Sequence, residues 1–128
     1  MTRNLDVMIL RKAIYLGNVG GKTLYLIVYK DVMDRILSGE KTTEYREATE
    51  YWDKRIVGEW TESGWTKKDY DWLRITNGYG NDTRPYILMR YGGYIREMHN
   101  DTQRYAIPIT RSLWREYREE IGGKVVKC

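Results

Sequence analysis

The chain has 128 residues, of which 41% are hydrophobic and 31% charged, and this size and balance predict one compact domain with a single core. No apolar run approaches the roughly 20 residues that a membrane span needs, so we expect a cytoplasmic protein without a membrane partner. A single cysteine and a single histidine exclude an internal disulfide and a zinc site of Cys and His ligands, and we expect no metal and no cofactor.

The net charge of +4 arises in residues 65–128, which carry 12 basic and 8 acidic side chains. A basic excess of this size suits an anionic partner, but it is also common among proteins that bind none. The aromatic content is more unusual, with 12 Tyr, 5 Trp and no Phe. Tyr and Trp combine an apolar body with a polar group, which suits half-buried walls and surfaces for base stacking.

The first half of the chain predicts two strands and two helices after an N-terminal extension, residues 1–23. Residues 24–29 form a continuous apolar run, which indicates a central strand. Asp31 is expected to cap a short helix that ends at Gly39. Residues 41–46 alternate in polarity and predict a strand, and a second helix follows from Glu47 with Ala48, Tyr51, Trp52 and Ile56 on one face. Residues 58–69 predict a loop, and residues 70–75 a strand.

The second half predicts a hairpin, a strand and a terminal helix. Residues 86–91 and 94–98 flank Gly92 and Gly93, a glycine pair that suits a two-residue hairpin turn. Residues 105–109 form a strand interrupted by Pro108, which places that proline near an edge or an end. A helix is expected over residues 111–121, with Leu113, Trp114, Tyr117 and Ile121 buried. Short strands alternating with short helices favour a mixed α+β barrel.

The segment 41–46 carries ionisable residues where a buried strand would be apolar. On a strand, Thr42, Glu44 and Arg46 lie on one side, and Lys41, Thr43 and Tyr45 lie on the other. One interpretation is a strand that borders a polar cleft. The alternative is a solvated edge strand in which Glu44 and Arg46 pair with each other.

The pattern Ile36-Leu37-x-Gly39-x-Lys41-Thr42-x-Glu44-x-Arg46, followed by a helix with Trp52, Lys54 and Arg55, resembles the ASCH domain of the PUA-like superfamily. The resemblance covers residues 24 to about 109, with residues 1–23 as an extension of the single domain. It implies an α+β fold, a PUA-like mixed β-barrel with flanking short helices and a cleft beside the motif. It also implies an association with RNA and modified nucleobases.

The resemblance leaves catalysis open. Some bacterial ASCH proteins are amidohydrolases that deacylate modified cytidines with a Lys, a Thr and a Glu. The Lys corresponds to Lys41, but Glu44 stands where the nucleophilic Thr is expected. Thr42 or Thr43 could replace it, and Thr43 is the better candidate because it shares a face with Lys41. If the chain is an enzyme, Lys41, Thr43 and Glu44 are the candidate catalytic residues. A further ASCH branch resembles a metal-independent ribonuclease of single-stranded RNA.

The sequence thus predicts a binding domain for RNA or a nucleoside. In this hypothesis, Lys41 and Arg46 contact phosphate or carbonyl oxygens, Glu44 accepts a hydrogen bond from a base amino group, and Tyr45 and Trp52 offer stacking surfaces. Arg55 completes the predicted ligand-binding residues. The alternatives are a metal-independent hydrolase that uses the same cleft and a protein-interaction module that uses the aromatic surface.

Overall fold

The computed structural model of the chain describes residues 22–78 and 84–119 and the backbone of 125–127. These residues form ten strands and two α-helices. The helices are α1 (Lys30–Leu37) and α2 (Glu50–Ile56). The strands are β1 (Thr23–Val28), β2 (Thr43–Glu47), β3 (Gly58–Thr61), β4 (Gly64–Lys67), β5 (Trp72–Asn77), β6 (Tyr86–Arg90), β7 (Ile95–His99), β8 (Thr102–Pro108), β9 (Trp114–Arg118) and β10 (Val125–Lys127).

The strands are organised into three sheets. One has the order β1-β5-β6-β9-β10, the second has the order β2-β8-β7, and β3 and β4 form a separate hairpin. Strand β1 runs parallel to β5, and the other pairs among the described strands are antiparallel. The predicted α+β class is therefore confirmed. In the described ranges the three sheets are separate hydrogen-bonded ladders, and the closed barrel stays a prediction.

Among the described strands β1 lies at the edge of its sheet, and only one of its faces is buried, so the predicted central position with two buried faces is wrong. Leu24, Leu26 and Val28 point into the core, whereas Tyr25 and Ile27 are exposed. The run looked buried on both faces because its outward positions are occupied by aromatic and aliphatic residues. The predicted N-terminal extension lies outside the described residues, apart from Lys22 and Thr23.

The elements around the motif agree with their sequence signals. Helix α1 ends where Gly39 adopts a φ of +86°, a conformation that glycine tolerates better than other residues. The helix begins at Lys30, however, and its N-cap is Tyr29 rather than Asp31. Helix α2 begins at Glu50 and not at Glu47 as predicted, because Glu47 belongs to β2 and Thr49 is the N-cap. The Thr49 hydroxyl accepts a hydrogen bond from the Trp52 backbone N–H at 3.3 Å.

Two predicted connections are wrong. The expected loop 58–69 contains the β3–β4 hairpin. The expected hairpin around Gly92 is a crossover between sheets, because β6 pairs with β5 and β9 whereas β7 pairs with β8. A Cβ on Gly92 would lie 3.0 Å from Pro108 Cγ, so a close approach of the chain also favours glycine there.

The predicted terminal helix is wrong as well. A short 3-10 turn at Arg111–Leu113 leads into β9, and residues 120–124 lie outside the described ranges. Burial in β9 follows the period of two that is typical of a strand, since Trp114 and Glu116 are buried and Arg115 is exposed. Strand β6 supplies the ladder partner, with Ile87 opposite Tyr117, so sheet pairing overrides the helical spacing of the apolar residues.

The core lies between the five-stranded sheet, helix α1 and the inner face of the three-stranded sheet. Its members are buried aliphatic and aromatic side chains from all three layers, including Leu26, Met33, Ile36, Leu73, Ile75, Ile87, Met89, Tyr105 and Ile107. Because β2 and β8 are neighbours in this arrangement, the polar motif residues of β2 lie beside the core.

Candidate ligand-binding site

Backbone hydrogen bonds fix the start of the motif strand. The Lys41 N–H donates to the Arg35 carbonyl at 2.9 Å, which folds the chain back against helix α1. The Ile109 N–H donates to the Thr42 carbonyl at 2.9 Å and extends the β2–β8 pairing beyond the strand itself. Backbone hydrogen bonds alone thus hold the motif against helix α1 on one side and against the segment after β8 on the other.

Glu44, Lys41 and Arg46 form one ionic cluster, which we call the motif cluster. Glu44 is only 6% exposed. Its Oε1 lies 3.3 Å from Lys41 Nζ, and its Oε2 accepts a short hydrogen bond from Arg46 Nη1. The predicted pairing of Glu44 with Arg46 is present, but the pair is buried rather than solvated. Lys41 precedes the first residue of β2, and its long side chain reaches the same carboxylate.

Arg46 connects the two larger sheets. Its Nη2 donates to the Ile27 carbonyl of β1 at 2.9 Å, and its Nη1 also donates to the Tyr45 carbonyl at 2.8 Å. Its guanidinium carbon lies 5.2 Å from the centre of the Trp52 ring, within cation–π range. These contacts assign Arg46 and Trp52 to the junction between β1, β2 and α2, and engage the Trp52 ring with a cation.

The arrangement does not unite the candidate catalytic residues. Lys41 is directed to Glu44, and no hydrogen bond joins the Thr43 hydroxyl to Lys41 in the described part of the chain. Both Glu44 oxygens already contact cations. The cluster therefore has the character of a neutralised structural network and lacks an activated hydroxyl.

Tyr45 lies on the outer face of the three-stranded sheet, where it is 38% exposed. The Arg104 guanidinium carbon is 3.7 Å from the centre of the Tyr45 ring, and Lys41 Nζ is 5.1 Å from it. Arg104 is held in turn by Glu97, with Nε and Nη2 both 2.6 Å from its Oε2. A flat guanidinium fixed against a ring suits stacking of a further planar group.

Arg55 points away from this face. Its guanidinium carbon lies 3.5 Å from the centre of the Tyr51 ring, and its Nη1 donates to the Tyr51 carbonyl at 3.1 Å. The Arg55 carbonyl accepts a short hydrogen bond from the Tyr70 hydroxyl. The contacts of Arg55 are thus with Tyr51 and Tyr70, and none of them involves the motif cluster.

An open cavity of about 420 Å³, which we call the tryptophan pocket, lies beside the three-stranded sheet that carries the motif. Trp60 and Trp65 of the β3–β4 hairpin form one side, with ring centres 5.6 Å apart in an edge-to-face arrangement. They are 78% and 48% exposed. Large apolar side chains that are this exposed beside a concavity are typical of binding sites.

The opposite side of the tryptophan pocket is polar. It is lined by Asp53 and Lys54 of α2, Tyr105 of β8 and Arg96 of β7. The Tyr105 hydroxyl donates a short hydrogen bond to Asp53 Oδ1, and Arg96 Nη1 lies 3.4 Å from that hydroxyl and 4.0 Å from the same carboxylate oxygen. Burial, followed by the hydrogen bond to Asp53, raises the pKa of Tyr105 to about 12 and so keeps its hydroxyl a donor.

Tyr105 places the motif and the pocket on one face of the sheet. It pairs with Arg46 on one neighbouring strand and with Arg96 on the other, so the three side chains share the inner face. The sequence does not predict the tryptophan pocket, because its pattern over residues 58–69 predicts a loop. The available signal was the repeated Trp-Thr pair, Trp60-Thr61 and Trp65-Thr66, around Glu62-Ser63-Gly64.

The described residues contain no group of three or more His, Cys, Asp or Glu side chains placed to hold a metal ion. The single histidine, His99, is exposed and lies 3.2 Å from the Asn100 side-chain nitrogen. Neither of the two described helices has the length and apolarity to cross a membrane.

Comparison with protein-family models, with curated proteins and with solved structures gives no match to this chain. The resemblance to the ASCH domain therefore depends on the motif residues alone, and the function depends on the chemistry of the site.

Proposed function

We propose that this chain binds a nucleobase or nucleoside, presented alone or within single-stranded RNA, in the tryptophan pocket beside the motif. The observation that carries the proposal is the pocket itself, an open cavity of about 420 Å³ with two exposed tryptophans on one side and paired charges on the other. Sites for small ligands are concavities of this order, apolar with a few oriented polar groups.

The aromatic side of the pocket suits a flat ring. Stacking of a base on an aromatic side chain contributes about 1–3 kcal/mol and tolerates any base, because every base has a π face. Trp60 and Trp65 are exposed, and the strands that carry them contribute little to the core. Of their described residues Gly58 is buried, Glu59 and Gly64 are half-buried, and the others are exposed. Ligand contact is a physical reason for two large aromatic side chains there.

The charges near the pocket favour a base over a phosphate. Lys54 and Arg96 are offset by Asp53 and Glu59, so the lining carries no net charge. Lys54 also pairs with Glu50 at 3.2 Å. Since the affinity of a phosphate backbone comes from unpaired cations, binding here depends mainly on stacking and hydrogen bonds. We expect a shallow decrease in RNA affinity with salt, equivalent to about one or two phosphate contacts.

The motif cluster supports this site from the inner face of the same sheet. In the proposal, Lys41, Glu44, Arg46 and Trp52 position β2 and α2, and the exposed Tyr45 is an additional stacking surface for a longer strand. The resemblance to the ASCH domain belongs to the same proposal, together with its PUA-like barrel and a cytoplasmic RNA or nucleoside as partner. The order β1-α1-β2-α2 around the motif supports it.

The test measures the affinity of the protein for nucleosides and for a short single-stranded RNA, with binding monitored by tryptophan fluorescence and calorimetry. We expect the Trp60→Ala and Trp65→Ala variants each to lose about tenfold in affinity, the order expected for one stacking contact. The matched control is Tyr25→Ala, which removes an exposed aromatic residue of β1 outside the pocket. Equal affinity of the tryptophan variants and the wild type would refute the assignment of the pocket.

Further ligands in the same titration separate the alternatives. Absence of binding to any nucleoside or RNA at millimolar concentration would overturn the proposal and favour a protein-interaction module on the aromatic surface. Acetylated cytidine tests both binding and hydrolysis. Release of acetate would show that the chain is an amidohydrolase and not only a binding domain. Single-stranded DNA of the same sequence tests whether RNA is preferred.

A further inference from the structure

The polar end of the tryptophan pocket contains one open acceptor beside one open donor. Asp53 Oδ1 is engaged by the Tyr105 hydroxyl, whereas Asp53 Oδ2 accepts no hydrogen bond from the described residues. Arg96 Nε donates to Gln103 Oε1 at 2.9 Å and Nη1 faces Tyr105, which leaves Nη2 without a described acceptor. A carboxylate oxygen and a guanidinium nitrogen are therefore both available to the edge of a bound ring.

We infer that the tryptophan pocket selects guanine, with its N–H donors facing Asp53 and its carbonyl oxygen facing Arg96. The inference rests on the proposed function and names the base that the site takes. Guanine presents a ring N–H and an exocyclic amino group next to each other, with the O6 carbonyl beside them. Asp53 Oδ2 has two lone pairs that can receive these N–H donors, and Arg96 Nη2 donates to O6. Both contacts are charge-assisted hydrogen bonds, the stronger class.

The other bases form fewer hydrogen bonds with Asp53 and Arg96. Adenine offers one amino group and no carbonyl, so Arg96 would face a ring nitrogen. Cytosine and uracil have smaller rings, which reduces the stacked area against Trp60 and Trp65. Uracil also supplies a single N–H donor. A charged group that the bound ring shields from water and leaves without a partner opposes binding, so a base that pairs with only one of Asp53 and Arg96 binds more weakly.

The surroundings keep the recognition pair in place. Tyr105 is fully buried and holds one oxygen of Asp53, and the Arg96 guanidinium carbon lies 5.5 Å from the centre of the Tyr105 ring. Gln103 fixes Arg96 from β8. A donor and an acceptor that are oriented before the ligand enters lose less entropy on binding, which favours selectivity.

The inference is tested by comparing guanosine, inosine, adenosine, cytidine and uridine by calorimetry. We expect guanosine to bind at least tenfold more tightly than adenosine, cytidine or uridine, within the range that one bidentate base contact provides. Inosine, which lacks the 2-amino group, is expected to bind severalfold more weakly than guanosine. Asp53→Asn should bring the affinities of guanosine and adenosine close together, because the amide is a weaker acceptor and repels an N–H donor with its NH₂ group.

Asn at position 53 keeps an oxygen for the Tyr105 hydroxyl, and a thermal melt checks that this variant is folded. Arg96→Met independently removes the guanidinium that faces the guanine carbonyl, and we expect it to reduce the preference for guanosine as well. The matched control is Asp69→Asn, an exposed acid outside the pocket. Equal binding of all five nucleosides, or a preference for another base, overturns the guanine inference while the proposed function stands. Absence of any nucleoside binding overturns both.

Discussion

Removing the Glu44 carboxylate is the sharpest test of the motif cluster. Glu44→Ala leaves Lys41 and Arg46 without their anion at a position where Glu44 is almost fully buried. Breaking a buried ion pair on one side costs roughly 3–5 kcal/mol. The Lys41 and Arg46 side chains retain 18% and 15% exposure, which permits partial rehydration, so the lower end of this range applies. We expect a loss of about 3 kcal/mol in the free energy of unfolding.

The assay is urea unfolding, accompanied by a thermal melt. For a domain of this size, about 3 kcal/mol corresponds to a decrease in Tm of about 10 °C. Glu47→Gln is the matched control, since Glu47 lies on the same strand but is exposed, and exposed positions usually change stability by less than about 0.5 kcal/mol. A loss below about 1 kcal/mol for Glu44→Ala would show that the cluster is solvated and not structural.

Two further predictions concern the pocket. Gly58 has a φ of +151°, and a Cβ there would lie 2.4 Å from the Thr66 carbonyl oxygen, so Gly58→Ala should destabilise the hairpin and weaken nucleoside binding. Gly64→Ala is the control for backbone strain without a clash, because Gly64 has a φ of +109° and nothing within 4 Å of a Cβ. Equal effects of the two variants in urea unfolding would contradict the steric argument. The pKa of Tyr105 is raised to about 12 in the folded state from its ordinary value of 10.0, so its contribution to stability is complete below pH 10 and is lost as the pH rises through 12. Between pH 10 and 12, the free energy of unfolding in urea should decrease less for Tyr105→Phe than for the wild type. The same decrease in both proteins would refute the contribution of Tyr105 ionisation.

The sequence predicted best those elements whose signals are local. Helix α1, strand β2 and helix α2 have local signals, such as the stop at Gly39, and they form within three residues of their predicted starts. The N-caps, Tyr29 and Thr49, are not the ones predicted. The pairing of Glu44 with Arg46 follows from their spacing of two residues on a strand. Its burial does not follow, because burial depends on β1 supplying the Ile27 carbonyl and α2 supplying the Trp52 ring.

The errors arise where partners are distant in the chain. Residues 114–118 have apolar spacing that suits a helix, yet the open edge of β6 makes them a strand. Gly92 and Gly93 suit a tight turn, but the flanking strands belong to different sheets. In both cases local propensity is smaller than the gain from completing a ladder and burying one face of it.

The tryptophan pocket shows the same limit for function. Its aromatic side comes from the β3–β4 hairpin, its carboxylate from α2, and its guanidinium and phenol from β7 and β8. Each of these side chains is unremarkable in the sequence, where acids, bases and aromatics are distributed throughout. They acquire a common chemistry only because Tyr105 lies between Arg46 and Arg96 on the inner face of the sheet and reaches Asp53. In the function we propose, the motif cluster therefore stabilises the frame, and the residues that select the ligand, Asp53 and Arg96, lie on α2 and β7.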